Sequence, residues 1–273
     1  MSVIQMADLS RLCEIMGRLR DPTNGCPWDL EQTFSSIVPH TIEEAYEVAE
    51  AIESGDMEHL PQELGDLLFQ VIFYCRLGQE RSYFSLEDVI ASIEDKLVRR
   101  HPHVFGEGSA EDAAAVQQNW ESIKADERRR HATVHSGSKA QASELDGIAR
   151  NLPALALAAK VQKRAARVGF DWRNAEGPMT KLREELAELE AARRGADKTE
   201  VAEELGDLLF SAVNLARHEG IDPEQCLRAA TNKFEARFRL MERGAGSLAQ
   251  LDAAGLNAAW NRAKSDLKKI ADA

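Results

Sequence analysis

The chain has 273 residues, of which 44% are hydrophobic, enough for one large core or two cores of common domain size. Its formal net charge of −12 disfavours direct binding to nucleic acid or to anionic membranes, because both call for a basic surface. An acidic protein can still bind a phosphate-bearing small molecule when a divalent cation bridges the two.

Cysteine usage and the N-terminus predict a cytoplasmic protein. The four cysteines are scattered, without a Cys-x-x-Cys spacing or a short disulfide framework. The chain begins without a basic, then apolar, leader, and no stretch approaches 18 consecutive apolar residues. We therefore expect neither export nor a membrane span.

The first half has the apolar spacing of amphipathic helices, and the low aromatic content of 6% also favours an all-α fold. A breaker-rich segment, Asp21–Asp29, interrupts this pattern after the first helix. The predicted helices cover 3–19, a segment beginning near Pro39, a segment beginning near Pro61, 85–100 and 111–128.

A polar segment at 129–147 predicts a linker, after which the second half repeats the plan. Asp197 and Glu200 have the spacing of a capping box at the start of one helix. The predicted helices of this half lie at 153–167, from Pro178, from Asp197, at 223–242 and at 247–270.

One seven-residue segment, Glu63–Phe69, recurs unchanged as Glu204–Phe210, an offset of 141 residues. A Glu-Glu-x-x-Glu run precedes each copy by the same interval. A duplicated core needs to keep only its apolar pattern, so retention of the acids at fixed spacing indicates that they act together. Gly65 and Gly206, poor helix formers inside these helices, predict close approach of a neighbouring helix or a ligand.

Residues three apart share a helix face, and two helices joined by a short connection pack as antiparallel neighbours. Four carboxylates per half are therefore predicted to converge on cations. A solvated helix face is the alternative, but the repeated spacing and the apolar surroundings favour a site. Oxygen-only ligands suit Mg²⁺ or Mn²⁺. The two predicted sets are Glu44, Glu47, Glu63 and Asp66, and Glu185, Glu188, Glu204 and Asp207.

Each half also carries a basic pair one helical turn apart and ends in Trp-x-x-x-Lys. Four-residue spacing places both members of such a pair on one face, where cations meet phosphate oxygens and the indole packs against a base. An exposed face with helical ion pairs is the alternative. These residues are Lys96, Arg100, Trp120 and Lys124 in the first half, and Lys233, Arg237, Trp260 and Lys264 in the second.

The acidic pattern, together with Gly25–Asp29, Arg99–Phe105 and Val168–Trp172, resembles the MazG family of tandem nucleoside triphosphate pyrophosphohydrolases. The resemblance covers nearly the whole chain outside the linker. It implies two helical-bundle domains, 1–128 and 148–273, and hydrolysis of nucleoside triphosphates to monophosphate and pyrophosphate for nucleotide-pool control. It also implies bound Mg²⁺ and a homodimer or higher homo-oligomer.

Carried over to this chain, the resemblance implies that the acids of the second half bind the metal. Lys181, Lys233, Arg237, Trp260 and Lys264 would contact the nucleotide. Glu184, Glu185 and Glu188 are the candidate catalytic acids. Glu184 and Glu185 are adjacent and point about 100° apart on a helix, so only one shares the Glu188 face easily.

The two halves are not equivalent in sequence. At the 141-residue offset, Lys181 corresponds to His40, a weaker phosphate partner because its imidazole is mostly neutral at pH 7. Asp66 precedes Lys96 by 30 residues, whereas Asp207 precedes Lys233 by 26. We therefore expect the second half to dominate catalysis. A pyrophosphatase narrowed to one nucleotide, such as a dUTPase-like or dCTPase-like enzyme, and a non-catalytic helical interaction protein are the alternatives.

Overall fold

The computed structural model describes residues 8–106, 143–195, 197–245 and 248–271, together with positions 112, 116, 120, 123 and 127. All regular structure in this part of the chain is helical, which confirms the all-α prediction. The chain divides into two compact units, residues 1–125 and 126–273. Of the predicted linker, residues 129–142 lie outside the described residues. Residues 143–147 are described and belong to the second unit.

The first unit contains six described helices: α1 (Ser10–Leu19), α2 (Pro27–Glu31), α3 (Phe34–Ser54), α4 (Leu60–Glu80), α5 (Leu86–Arg100) and α6 (Pro102–Phe105). Helix α4 packs against α3 and α1. The core between these three helices consists of Met16, Ile37, Ile72, Phe73 and Leu77. Most of the helix predicted at 111–128 lies outside the described residues. Of the positions described in this range, 116, 120, 123 and 127 are helical.

The second unit contains α7 (Ala154–Ala166), α8 (Glu176–Gly195), α9 (Lys198–His218), α10 (Pro223–Ala245), a short 3₁₀ turn (Leu248–Gln250) and α11 (Ala253–Ala271). Helices α8 and α9 form one hairpin, and α10 and α11 form another. Helix α7 contacts both α9 and α10. Met241, Ala259 and Ala263 are buried between the last two helices.

The predicted start of α3 was wrong, whereas the start predicted at Asp197 is confirmed. Helix α3 begins at Phe34, not near Pro39, because Thr33 and Ser36 form a reciprocal capping box that satisfies the first free N–H groups. Pro39 lies inside the helix. Asp197 does cap α9, but its carboxylate accepts from the Thr199 N–H at 2.8 Å, without the reciprocal bond predicted for Glu200.

An arginine–carboxylate pair fixes the segment before each acidic hairpin to the far end of that hairpin. In the first unit Arg20 donates to Glu80 at 3.0 and 2.7 Å and to the Asp29 carbonyl. In the second unit the polarity is reversed: Arg217, on α9, donates to Asp171 at 2.9 Å. His218 adds a contact of 2.8 Å to the same carboxylate. Both arrangements tie the segment before the acidic helices to the end of α4 or α9.

The contacts of Asp171 predict that the folded state loses stability in acid. Hydrogen bonds from Arg217 and His218 lower the pKa of Asp171 from 3.8 to about 2. The ion pair therefore stabilises the fold above pH 4, and this contribution is lost as the pH falls from about 4 to about 2. We expect Asp171→Asn to lower the free energy of unfolding by about 1–2 kcal/mol at pH 7 and by almost nothing at pH 2.

Urea unfolding at a series of pH values, followed by circular dichroism, measures this difference. Glu190→Gln is the matched control, because Glu190 is an exposed acid of the same unit. A difference for Asp171→Asn that stays constant with pH would contradict the assigned cause.

Candidate metal centre

The α8–α9 hairpin brings together three of the four acids predicted for the second half. Glu185 and Glu188 extend from α8 and Glu204 from α9, and one carboxylate oxygen from each lies within 4.8 Å of the others. The Glu185 side chain is only 5% exposed, whereas Glu188 is exposed. The centre therefore has one buried carboxylate and an open side.

The remaining acids of this half lie at the edge of the cluster. Asp207 is exposed and is not within the 4.8 Å group, although its charge contributes to the raised pKa of Glu204. Glu184 points toward solvent, as expected for a neighbour of the inward Glu185, and accepts from Lys181 at 2.8 Å. Lys181 also lies 2.6 Å from Glu185.

The α3–α4 hairpin forms a corresponding cluster in the first half. Glu44, Glu63 and Asp66 offer oxygens within 4.8 Å of one another. Glu47 is outside this group, but its carboxyl group is hydrogen-bonded to Glu44. No carboxylate of this cluster is fully buried, in contrast to Glu185.

Negative charge accumulates in both clusters. The pKa of Glu204 is raised by desolvation and by the charges of Glu188, Glu185 and Asp207. The pKa of Glu44 is raised by burial, by the hydrogen bond with Glu47 and by the charge of Asp66. A nearby cation would relieve this repulsion, because an opposite charge favours the ionised form of each acid.

The donor set fits a hard divalent cation. Each cluster offers carboxylate oxygen alone, the chemistry that Mg²⁺ and Mn²⁺ prefer. Ligands at about 2.1 Å from one octahedral ion lie roughly 3–4 Å apart, so the observed spread of up to 4.8 Å needs only small side-chain rotations.

Residues beside the two clusters differ at equivalent positions. His40, the counterpart of Lys181, lies 3.7 Å from Glu43 and makes no hydrogen bond or ion pair with Glu44 in the described structure. Glu44 instead accepts from the buried amide of Gln70 at 3.3 Å, and Ser211 occupies the position equivalent to Gln70. The first cluster thus has a neutral donor where the second has a lysine.

A second difference concerns the residue one turn before the first acid of α4 or α9. His59 lies 3.5 Å from Glu63, whereas Glu200 holds the equivalent position before Glu204 and raises its pKa further. The sequence motifs do not identify Gln70, His59 or Glu200 as neighbours of the acidic clusters. Comparing the halves at the constant offset of 141 residues would have found all three.

The basic residues predicted for the second half lie mainly on the other hairpin. Arg237 packs over the Trp260 ring at 5.6 Å, and Phe234 contacts the same ring at 5.2 Å. Lys233 and Lys264 are exposed. Across the described residues, no hydrogen bond or ion pair joins Lys233 or Arg237 to the acids. The contact between Arg237 and Trp260 thus joins one member of each predicted pair, while convergence of basic and acidic groups stays a prediction.

The first-half basic residues are only partly described. Lys96 and Arg100 are both half-buried and both lie on α5. Trp120 packs edge-on against His101, the residue that follows Arg100, with the two ring centroids 4.9 Å apart. Lys124 lies outside the described residues.

Gly65 and Gly206 are not explained by helix packing. A Cβ atom at either position would meet no atom within 4 Å in the described structure. Close approach of a neighbouring helix is therefore absent at both glycines in the described structure, while approach of a ligand stays a prediction.

Comparison with known proteins agrees with the geometry. The MazG nucleotide pyrophosphohydrolase domain matches residues 32–105, and the phosphoribosyl-ATP pyrophosphohydrolase family matches 156–234. A nucleoside triphosphate pyrophosphohydrolase of Escherichia coli K12 is 52% identical over 240 residues, covering 87% of this chain and 88% of that protein. The Thermotoga maritima nucleoside triphosphate pyrophosphohydrolase/pyrophosphatase MazG is 42% identical, covering 93% of this chain and 94% of that protein.

Two helical hairpins with clustered acids, matched by two pyrophosphohydrolase families, define an all-α pyrophosphohydrolase enzyme. The chain belongs to the MazG family of nucleoside triphosphate pyrophosphohydrolases.

The clusters predict stabilisation by divalent cations. Ligands that bind only the folded state raise its free energy of unfolding, by about 1–3 kcal/mol at 10- to 100-fold excess over Kd. We expect Mn²⁺ to raise the thermal unfolding midpoint of the wild-type chain and to have no effect on a Glu44→Gln/Glu185→Gln double variant. Differential scanning calorimetry measures both.

Glu190→Gln provides the control, because this exposed residue of α8 belongs to neither cluster. It should retain the full Mn²⁺ effect. An undiminished shift in the double variant would place the cation elsewhere.

Proposed function

We propose that the chain hydrolyses nucleoside triphosphates to nucleoside monophosphate and pyrophosphate, with Mg²⁺ or Mn²⁺ held by the acids of the second half. The observation that carries this proposal is the cluster of Glu185, Glu188 and Glu204, with Lys181 at its edge. Family membership supports the reaction class.

In the proposed reaction, Glu185, Glu188 and Glu204 would hold the cation, and Asp207, at the edge of the cluster, would supply a fourth carboxylate. When bound, Mg²⁺ supplies positive charge that offsets the charge developing near the α-phosphorus. A water oxygen bonds to the α-phosphorus while the bond breaks between that phosphorus and the oxygen that bridges it to the β-phosphorus. Pyrophosphate leaves with the bridging oxygen. Glu184 or another acid of α8 accepts the proton of the water.

Basic and aromatic residues would bind the rest of the nucleotide. Lys181 is the phosphate partner nearest the acids, through its contacts with Glu184 and Glu185. Lys233, Arg237 and Lys264 are proposed to contact further phosphate oxygens, and Trp260 to pack against the base. The partial exposure of Trp260 beside Arg237 suits this role.

The second half is proposed to be the dominant site. It combines the buried Glu185, a lysine beside it and the additional charge of Glu200. The first-half cluster has His40 and His59 at the corresponding positions. A lysine is charged at pH 7 and binds phosphate oxygens more strongly than a histidine, which is mostly neutral at that pH.

We also propose that the enzyme acts in the cytoplasm as a homodimer or higher oligomer. All four cysteines are free thiols, which suits a reducing compartment. None of the described helices is both long and apolar enough to span a bilayer.

Exposed apolar side chains support the proposed oligomer. The equivalent residues Leu64 and Leu205 are 49% and 46% exposed, and a second copy of the chain would cover such apolar surface. Light scattering should then give at least twice the chain mass of 30.3 kDa.

Matched substitutions in the two halves test the dominant site. We expect Glu204→Gln to lower kcat for pyrophosphate release by about 100-fold or more, because it removes a proposed cation ligand. Glu63→Gln, the equivalent change in the first half, should lower kcat less than about twofold. Pyrophosphate release from the full chain measures both, and the opposite pattern would place the dominant site in the first half.

A panel of ribo- and deoxyribonucleoside triphosphates with standard and modified bases tests the proposed substrate range. Broad release of pyrophosphate supports a nucleotide-pool enzyme. Release from one triphosphate alone would instead identify a specialist. Absence of release from every triphosphate would overturn the proposed reaction.

A further inference from the structure

Lys181 occupies the edge of the acidic cluster as an internal cation. Its Nζ atom lies 2.8 Å from Glu184 and 2.6 Å from Glu185. Glu185 is the most buried acid of the cluster, with a side chain only 5% exposed. An ammonium group therefore already neutralises part of the charge that a metal ion would neutralise.

The first half lacks this arrangement at the equivalent position. His40 contacts Glu43, the counterpart of Glu184, at 3.7 Å. Glu44, the counterpart of Glu185, accepts from the neutral amide of Gln70. The lysine contact is thus particular to the second cluster within the described structure and is not a general feature of the hairpin.

A divalent cation and the Lys181 ammonium compete for Glu185. Two positive charges a few ångströms apart repel each other, and each oxygen lone pair serves one partner at a time. Lys181 can move away, because its side chain is 36% exposed and has a flexible four-carbon stem. A triphosphate offers the ammonium another anionic partner at the same site.

We propose that Lys181 is an exchangeable counter-ion that holds Glu185 while the site is free of nucleotide and transfers to a triphosphate oxygen when nucleotide binds. Lys181 thereby weakens cation binding to the free enzyme and makes cation and nucleotide binding cooperative. This role rests on the proposed function of the second half. It makes Lys181 a positioning residue for the metal ligand as well as a phosphate contact.

The first test measures Mn²⁺ binding without turnover. Full-length chains carrying Glu44→Gln and Glu63→Gln, which remove the first cluster, are titrated with Mn²⁺, and free Mn²⁺ is followed by electron paramagnetic resonance. Adding Lys181→Met should tighten Mn²⁺ binding by roughly three- to tenfold, because it removes the competing ammonium but keeps an unbranched side chain of similar length.

Arg183→Met is the matched control. Arg183 is an exposed cation of the same helix, two positions from Lys181, and has no contact recorded with the cluster in the described residues. This change should alter Mn²⁺ affinity by less than about twofold. Equal tightening by both substitutions would reduce the effect to overall charge and overturn the proposal, as would unchanged or weaker binding by Lys181→Met.

The second test adds α,β-methylene ATP, a triphosphate analogue that resists cleavage at the bond in question. In the parent chain the analogue should tighten Mn²⁺ binding, and Lys181→Met should reduce that tightening factor by roughly three- to tenfold. An undiminished factor would overturn the transfer of Lys181 to phosphate. Failure to hydrolyse any triphosphate would overturn the proposed function alone, because the titration of the free enzyme does not depend on turnover.

Discussion

The packing of two antiparallel helices forces several carboxylates into one small volume, and the rest of each half is arranged around that constraint. In the second half, Glu185 and Glu188 on α8 face Glu204 on α9. The packing of α8 against α9, and of α9 against α7, holds these helices together against the repulsion between the acids. Such a cluster is stable when counter-charges are near, and Lys181 supplies one of them.

The duplicated hairpins show how equal frameworks come to hold unequal sites. Both bring three acids within 4.8 Å, and both are fixed at one end by an arginine–carboxylate pair. The groups that touch the acids differ: Gln70 in the first half, Lys181 in the second. A neutral amide competes only weakly with a metal ion for a carboxylate, whereas a charged ammonium competes more strongly. The difference in chemistry therefore lies beside the acids, which are themselves repeated.

Sequence periodicity predicted the bounds of a helix well where a local signal marked its first or last residue. Ser85 and Pro102 fixed the two ends of α5, because a capping side chain and a missing N–H act within one turn. Pro39 was misleading, since the capping box at Thr33 and Ser36 starts α3 earlier and tertiary packing tolerates one lost backbone hydrogen bond. The low helix propensity of Gly206 was also misleading, because it predicted a closely packed neighbouring helix and the structure shows no atom within 4 Å of a Cβ placed there.

The sequence by itself determined the all-α fold, the duplication and the identity of the acids, because the 3.6-residue period and the 141-residue offset are properties of the chain. Tertiary structure alone decided which acids meet. Asp207 shares a helix face with Glu204 but remains at the edge, and Glu185 rather than Glu184 is buried. Those outcomes depend on the rotation of α8 against α9 about their axes, which side-chain packing sets and which spacing along one helix does not specify.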